Sequence, residues 1–174
     1  MKKSIAIFLL ICFLMGLGSC TKDETQEPVG DFTFTLVWGC YGISSYDSAT
    51  GKLVKTSHAT HPEDYVTNFY LTEEQMAEIS ALLQELDLES YPDEYDPHLT
   101  EDGQTTRSDP SMDLILTLQW DGKTKTVACR ETALHYTSRV KKGNGFLQTC
   151  KTIIDMLTAS EEWKSLPPYE FLYD

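Results

Sequence analysis

The feature of this sequence that most restricts its fold is the pair Asp121-Gly122, which follows a stretch of alternating apolar and polar residues. Asp-Gly between two alternating segments is a strong signal for a two-residue β-hairpin. A tight turn at this pair would place Leu116 opposite Val127 and Leu114 opposite Cys129. Because alternate side chains of a strand point to the same side, both strands would then present apolar residues to one face. The pattern predicts an antiparallel hairpin with one buried face.

The N-terminal half carries further strand signals. Residues 32–40 alternate cleanly, and their apolar members share one face: Phe32, Phe34, Leu36, Trp38 and Cys40. Residues 44–46 and 53–56 flank a turn that ends in Gly51, which predicts a second hairpin. Residues 65–71 are rich in Val, Thr, Phe and Tyr and predict a fourth strand.

Two segments have the three- and four-residue apolar spacing of amphipathic helices. Thr72 and Gln75 have the form of a capping box, so the first helix should begin there and end near residues 87–88. The second helix is predicted over residues 146–157, after a loop closed by Gly143-Asn144-Gly145. Ser160 is placed to cap a short final turn. Residues 90–111 are predicted to form a long acidic loop.

Consecutive strands joined by tight turns, with the helices set apart, indicate an α+β fold. We expect an antiparallel sheet of about five to six strands with two helices packed on one face. The other face should be solvent-exposed, because polar side chains recur on it: Thr33, Thr35, Thr117, Gln119 and Thr124. Residues 32–174 are expected to form a single α+β domain.

The first 19 residues differ from the rest. Lys2 and Lys3 form a basic start, and Ile5 to Leu17 is an apolar run of 13 residues. A transmembrane helix needs about 20 residues, so this run has the length of a signal-peptide core instead. The segment Leu17-Gly18-Ser19-Cys20 that follows resembles the bacterial lipobox.

The lipobox resemblance implies that residues 1–19 are a signal peptide that is removed before Cys20. The sulfur of Cys20 would then carry a diacylglycerol, and its amine a further fatty acyl chain such as palmitate. Two or more chains hold a protein stably on a bilayer, so the membrane is an expected partner through this lipid. The alternative is an ordinary signal peptide cut after a small residue. Taken whole, the chain resembles the small lipoproteins of gut-type bacteria, which transfers no functional residue beyond the lipobox.

Residues 20–31 are polar, acidic and contain Pro28 and Gly30, which predicts a flexible tether. Within them, Lys22-Asp23-Glu24 resembles the export signal of lipoproteins of the Bacteroidetes type. The resemblance implies display on the cell surface, and a merely solvated tether is the alternative. The protein is expected in the cell envelope, facing away from the cytoplasm.

The chain has 27 acidic and 14 basic residues, a formal net charge of −13. This balance excludes nucleic acid as a partner, because phosphate binding depends on Lys and Arg. It also disfavours attachment to anionic lipid through a basic patch.

Three cysteines fall on predicted core faces: Cys40, Cys129 and Cys150. They are either buried free thiols or include one disulfide, for which Cys129 with Cys150 and Cys40 with Cys129 are the candidate pairs. His58 and His61 lie three residues apart, with Glu63 and Asp64 close by, so they are weak candidates for a metal site.

The acidic loop is either a solvated segment or a weak calcium site. No nucleophile elbow or phosphate-binding glycine motif is present in the sequence, so no catalytic residue and no cofactor is predicted. The favoured function is a lipid-anchored binding module for a protein, peptide or glycan. The most specific version of this hypothesis is an inhibitor. A long loop over residues 90–111 would then insert into a target cleft. The alternatives are a metal-dependent hydrolase using His58, His61 and nearby carboxylates, and a solute or metal sensor.

Replacement of the predicted lipid-bearing sulfur tests the anchor. Cys20→Ser should lose the diacylglycerol mass increment and leave the membrane fraction, because an oxygen at this position is not the expected acceptor. Cell fractionation and mass spectrometry of the N-terminal peptide measure both effects. Cys12→Ser, which alters a cysteine of the predicted leader, should change neither. A Cys20→Ser protein that keeps its mass increment and its membrane association would contradict the anchor.

Overall fold

A six-stranded antiparallel sheet organises the chain, with the strand order β4-β3-β2-β1-β5-β6. The computed structural model describes residues 32–40, 44–55 and 59–170. The strands are β1 (Phe32–Gly39), β2 (Ser44–Asp47), β3 (Lys52–Val54), β4 (Val66–Asn68), β5 (Met112–Trp120) and β6 (Lys123–Thr132). The helices are α1 (Glu73–Leu86), α2 (Lys141–Ala159) and α3 (Glu161–Ser165). The predicted α+β class is confirmed.

The predicted hairpin register is confirmed. Leu116 lies opposite Val127 and Leu114 opposite Cys129 across β5 and β6. Leu36 of β1 pairs with Leu116 on one side and with Tyr46 of β2 on the other. One row of fully buried side chains therefore crosses four strands, and each contributes about 1.5–3 kcal/mol of burial free energy.

Helices α1 and α2 cover the apolar face. The capping box is present, with the Thr72 hydroxyl accepting from the Gln75 amide at 3.2 Å and the Gln75 side chain accepting from the Thr72 amide at 2.9 Å. Helix α1 ends at Leu86, one residue before the predicted end, and its C-cap Asp87 is in the left-handed region (φ 48°). Helix α2 buries Phe146, Leu147, Cys150, Ile153 and Leu157. Within the described ranges, no helix has the length and apolar character needed to cross a bilayer.

Three sequence-based boundaries are corrected. The strand predicted over 65–71 spans only Val66–Asn68, because it is an edge strand and its one neighbour, β3, has three residues. Gly143-Asn144-Gly145 does not close a loop, since these residues form the first turn of α2. The segment 90–111 is not solvated along its whole length, because Tyr91, Pro97 and His98 are buried.

The first half of that segment is attached to the sheet and to α2. The Tyr95 amide donates to the Ala128 carbonyl at 2.9 Å, and the Ala128 amide donates to the Asp93 carbonyl at 2.7 Å. The rings of Tyr91 and Tyr95 pack against Phe146 of α2, with centroids 5.4 and 5.9 Å away. Backbone pairing and aromatic packing therefore leave only the second half of the segment free of the core.

Helix α2 begins at Lys141, five residues before the predicted start. Gly143 allows its first turn to approach Pro97 closely. A Cβ atom at position 143 would stand 1.8 Å from the Pro97 carbonyl oxygen, whereas one at Gly145 would meet nothing within 4 Å. Glycine inside a helix is otherwise unfavourable by roughly 1 kcal/mol relative to alanine.

Two glycine substitutions two residues apart test this contact. Gly143→Ala should lower the free energy of unfolding by about 3 kcal/mol or more, because backbone must move away from the new methyl group. Gly145→Ala should be neutral or stabilise by up to about 1 kcal/mol through helix propensity. Urea unfolding of both variants measures the difference. Equal effects at the two positions would contradict the close approach.

Candidate functional site

A loop at one end of the sheet, residues 99–107, is an exposed segment between two buried parts of the chain. Residues 101–107 are all exposed, and Leu99 exposes 51% of its surface although it is apolar. We call this segment the 99–107 loop. Its two ends join the core at Pro97-His98 and, through the Ser108 hydroxyl, at the Thr132 carbonyl 3.5 Å away.

The tip of the 99–107 loop is a hydrogen-bonded turn. The Thr100 amide donates to the Gln104 carbonyl at 2.8 Å, and the Gly103 amide donates to the Thr100 carbonyl at 3.0 Å. Gly103 has φ +81°, which a side-chain-bearing residue rarely adopts. The Asp102 carboxylate accepts from the Thr100 hydroxyl and, at 2.9 Å, from the Gln104 side-chain amide. The bond from the Thr100 hydroxyl lowers the pKa of Asp102, so the turn holds this carboxylate ionised.

The Asp96 side chain connects the C-terminal side of the loop to the base of the loop. Its carboxylate accepts from the His98 amide at 2.9 Å, the Thr105 hydroxyl at 2.7 Å and the Arg107 guanidinium at 2.9 Å. Burial alone would raise the pKa of Asp96, but these three donors outweigh it and lower the pKa below its ordinary value of 3.8. The loop is therefore ordered by its own side chains.

The base of the loop is clamped to the segment that follows β6. The Ser138 hydroxyl donates to the Pro97 carbonyl at 2.5 Å, and His98 Nε2 lies 3.1 Å from the Ala133 carbonyl oxygen. Between the loop and this segment is a polar hollow of about 230 Å³. The residues that line it are His98, Thr100, Gln104, Thr105, Thr106 and Arg139.

The 99–107 loop and the point where the described chain begins lie at opposite ends of the sheet. Phe32, the first described residue, pairs with Trp120 at the far end of β5. The loop leads into Met112 at the near end of β5, which pairs with Thr132. Eight residue steps of a strand separate the two ends by roughly 27 Å.

All three described cysteines are free and buried. Burial raises the pKa of Cys40, Cys129 and Cys150 above the ordinary thiol value of 9.0. The thiolate is the reactive form of cysteine, so these three side chains are poorly suited to nucleophilic chemistry.

The structure describes only part of the predicted histidine pair and does not describe the predicted lipid-bearing cysteine. His58 and Cys20 lie outside the described residues. His61 is exposed, with Nδ1 3.9 Å from the Glu63 carboxylate. Among residues 32–40, 44–55 and 59–170, no group of three His, Cys, Asp or Glu side chains could hold a metal ion.

The carboxylates of the acidic segment are mostly paired with cations. Asp93 contacts Lys125 at 2.5 Å, and Arg130 lies 3.7 Å from Glu94 and 3.9 Å from Asp113. The Asp93 and Glu94 pairs link the segment to β6, and the Asp113 pair joins β5 to β6. The predicted oxygen-rich cluster is thus spread along a strand instead of converging on one point.

Sequence reasoning missed a buried lysine. Lys55 is 8% exposed, and its Nζ donates to the Leu166 carbonyl at 3.2 Å. The same atom lies 5.2 Å from the Trp163 ring centroid and 5.8 Å from that of Tyr169. Desolvation lowers the pKa of Lys55. Its partners are more than 100 positions away in the chain, so no local pattern could have indicated this contact.

Lys55 and Glu170 fasten the C-terminal segment to the sheet. The Glu170 carboxylate accepts from the Thr60 amide at 2.6 Å, the Thr60 hydroxyl at 3.0 Å and the Tyr65 hydroxyl at 3.2 Å. The buried Lys55 side chain therefore anchors residues 166–170.

A small apolar groove of about 200 Å³ lies near Phe32, at the end of the sheet away from the 99–107 loop. Leu83, Leu88, Leu118 and Trp120 are among its lining residues.

No family model matches this chain, and no curated protein is detectably similar to it. Functional statements about it therefore rest on its own residues.

The role of Asp96 in ordering the loop has a pH signature. Asp96→Asn should lower the free energy of unfolding at pH 7 by about 1–2 kcal/mol, because charge-assisted hydrogen bonds become neutral ones. The half-exposed Arg107 pair contributes only a small part of this.

The pKa of Asp96 is lowered on folding, so its stabilising effect is full above the unfolded value and is lost as pH falls through about 4 and below. Urea unfolding of both proteins between pH 3 and 7 should show the difference shrinking in that window. Glu101→Gln, a change of an exposed carboxylate in the same loop, should show no such difference. A gap between wild type and Asp96→Asn that is constant down to pH 3 would contradict the assignment.

Proposed function

We propose that this protein is a lipid-anchored recognition module of the cell envelope that inserts its 99–107 loop into the cleft of a partner protein, as an inhibitor does. The observation that carries the proposal is an exposed loop that is already ordered by internal hydrogen bonds and clamped to the core at both ends.

Preorganisation is what makes such a loop suited to binding. Ordering the backbone of a flexible segment costs roughly 1–2 kcal/mol per residue, and binding must repay this before any affinity is seen. In the 99–107 loop, Asp96 and the Thr100–Gln104 turn already hold the backbone in one conformation. The exposed Leu99 supplies an apolar contact on the same loop.

The position of the loop agrees with a membrane anchor. By the lipobox resemblance the lipid would be on Cys20, with eleven residues between it and Phe32. Phe32 and the 99–107 loop lie at opposite ends of β5, so the loop is at the end of the strand away from the predicted point of attachment. Eleven residues span at most roughly 40 Å.

The metal-dependent hydrolase that uses His58, His61 and nearby carboxylates stays a prediction, as do glycan binding, solute sensing and surface display.

Site-directed photo-crosslinking in intact cells tests the recognition loop. A benzoylphenylalanine at position 99 should give one adduct of discrete mass, because the loop would lie inside the partner's cleft. The matched control is the same group at Tyr70, which is 69% exposed and stands beside the Gly51 turn at the chain-entry end of the sheet. Immunoblotting and mass spectrometry of the adduct identify the partner.

The inhibitor form of the proposal requires the cross-linked partner to be an enzyme whose activity the purified protein reduces. Gly103→Val should weaken that inhibition about tenfold or more, because valine strains the positive φ at the loop tip. Adducts that form equally at positions 99 and 70, or none at position 99, would contradict the recognition loop.

A further inference from the structure

We infer that the polar hollow beside the 99–107 loop binds an oxyanion, and that its occupant is a carboxylate presented by the partner protein. This inference rests on the proposed function, since it names the chemical group that the recognition site takes.

The lining of the hollow is polar and contributes no carboxylate of its own. Its Thr100 and Thr105 hydroxyls already donate to Asp102 and Asp96, so Arg139, the Thr106 hydroxyl and the second amide N–H of Gln104 are the donors left for a ligand. Three threonines, one glutamine, His98 and Arg139 form it. In a chain with 27 acidic residues, a carboxylate-free hollow that includes a guanidinium is a local exception to the overall charge. An anionic group placed there would be attracted by the nearest cation, and Arg is the residue best shaped for bidentate contact with a carboxylate.

Arg139 is the arginine available for such a contact. The chain has three arginines, and the other two are paired: Arg107 with Asp96, and Arg130 with Glu94 and Asp113. Within the described part of the chain, Arg139 makes no ion pair and no side-chain hydrogen bond, and it is exposed. Its guanidinium is therefore free to meet a ligand.

Two further groups define the polar lining of the hollow. The Thr106 hydroxyl has no hydrogen-bond partner among the described residues. His98 is 4% exposed, and its Nε2 lies 3.1 Å from the Ala133 carbonyl oxygen. Because a carbonyl only accepts, Nε2 carries a proton and the orientation of the buried ring is set. The hollow thus combines one exposed, unpaired cation with a polar, partly buried lining.

The two carboxylates that bond to lining residues of the hollow are already engaged. Asp96 accepts from Thr105 and Arg107, and Asp102 accepts from Thr100 and Gln104. Their charges oppose an incoming anion at a distance, but their oxygens do not compete for Arg139. This balance favours a ligand with a single charge, such as a carboxylate, over a doubly charged phosphate.

Anion titration of the ¹⁵N-labelled full chain in detergent micelles tests the site. Acetate and inorganic phosphate each replace chloride at constant ionic strength, and the readouts are the three arginine Nε–H signals and the amides of residues 104–106. Acetate should shift the Arg139 signal and these amides along a saturating curve, while the Arg130 signal moves little.

Two arginine variants distinguish a specific contact of Arg139 with the anion from a general effect of net charge. Arg139→Gln should raise the half-saturating acetate concentration, read from the amides of residues 104–106, by about ten- to a hundredfold, the range expected for loss of a charge-assisted hydrogen bond. Arg130→Gln removes the same charge from a paired, exposed position and should leave the curve unchanged. Since Arg139 is exposed, the Arg139→Gln protein should keep the wild-type amide spectrum elsewhere.

Saturation by acetate, alone or together with phosphate, supports the site when Arg139→Gln weakens it by at least about tenfold. Saturation by phosphate only would assign the hollow to a free phosphate and overturn the carboxylate. Linear shifts, or equal responses of Arg130 and Arg139, would overturn the site altogether. If acetate saturates the Arg139 signal and no adduct forms at position 99, the proposed function fails and the oxyanion site stands. If an adduct forms at position 99 and acetate gives no saturating response, the oxyanion site fails and the proposed function stands.

Discussion

The pairing of β1 with β5 is the contact on which the rest of the molecule depends. It joins the sheet half built from the first four strands to the C-terminal hairpin, along eight residue pairs from Phe32–Trp120 to Gly39–Asp113. A slip of one residue would turn the buried row of β1 to the solvent face, so this register is strongly specified. Because it is antiparallel, it also places the chain entry and the approach to β5 at opposite ends.

The second determining contact is made by the stretch before the 99–107 loop. Tyr95 pairs with β6 through its backbone, and Pro97 lies against Gly143 in the first turn of α2. These contacts hold one end of the loop in the core while the rest projects into solvent. Core packing and the exposed loop are therefore parts of one arrangement, in which buried backbone and aromatic rings position a polar tip.

Much of the fold could be predicted because its signals are local. The capping box at Thr72 and the hairpin at Asp121-Gly122 each depend on residues within a few positions, and both are observed. The candidate site was predicted only as a long loop. Its order depends on Asp96 meeting Thr105 and Arg107, a side-chain network that composition shows merely as acidity.

By itself, the sequence determined the strand and helix periodicities, the α+β class and the net negative charge, since each follows from residue types at short spacings. Only the tertiary structure decided that Lys55 is buried beneath Trp163, that α2 begins at Lys141, and that Arg139 borders a polar hollow. These features join residues far apart in the chain. The physical reason is that burial and pairing depend on which surfaces meet, and no local pattern records the partner on the other side.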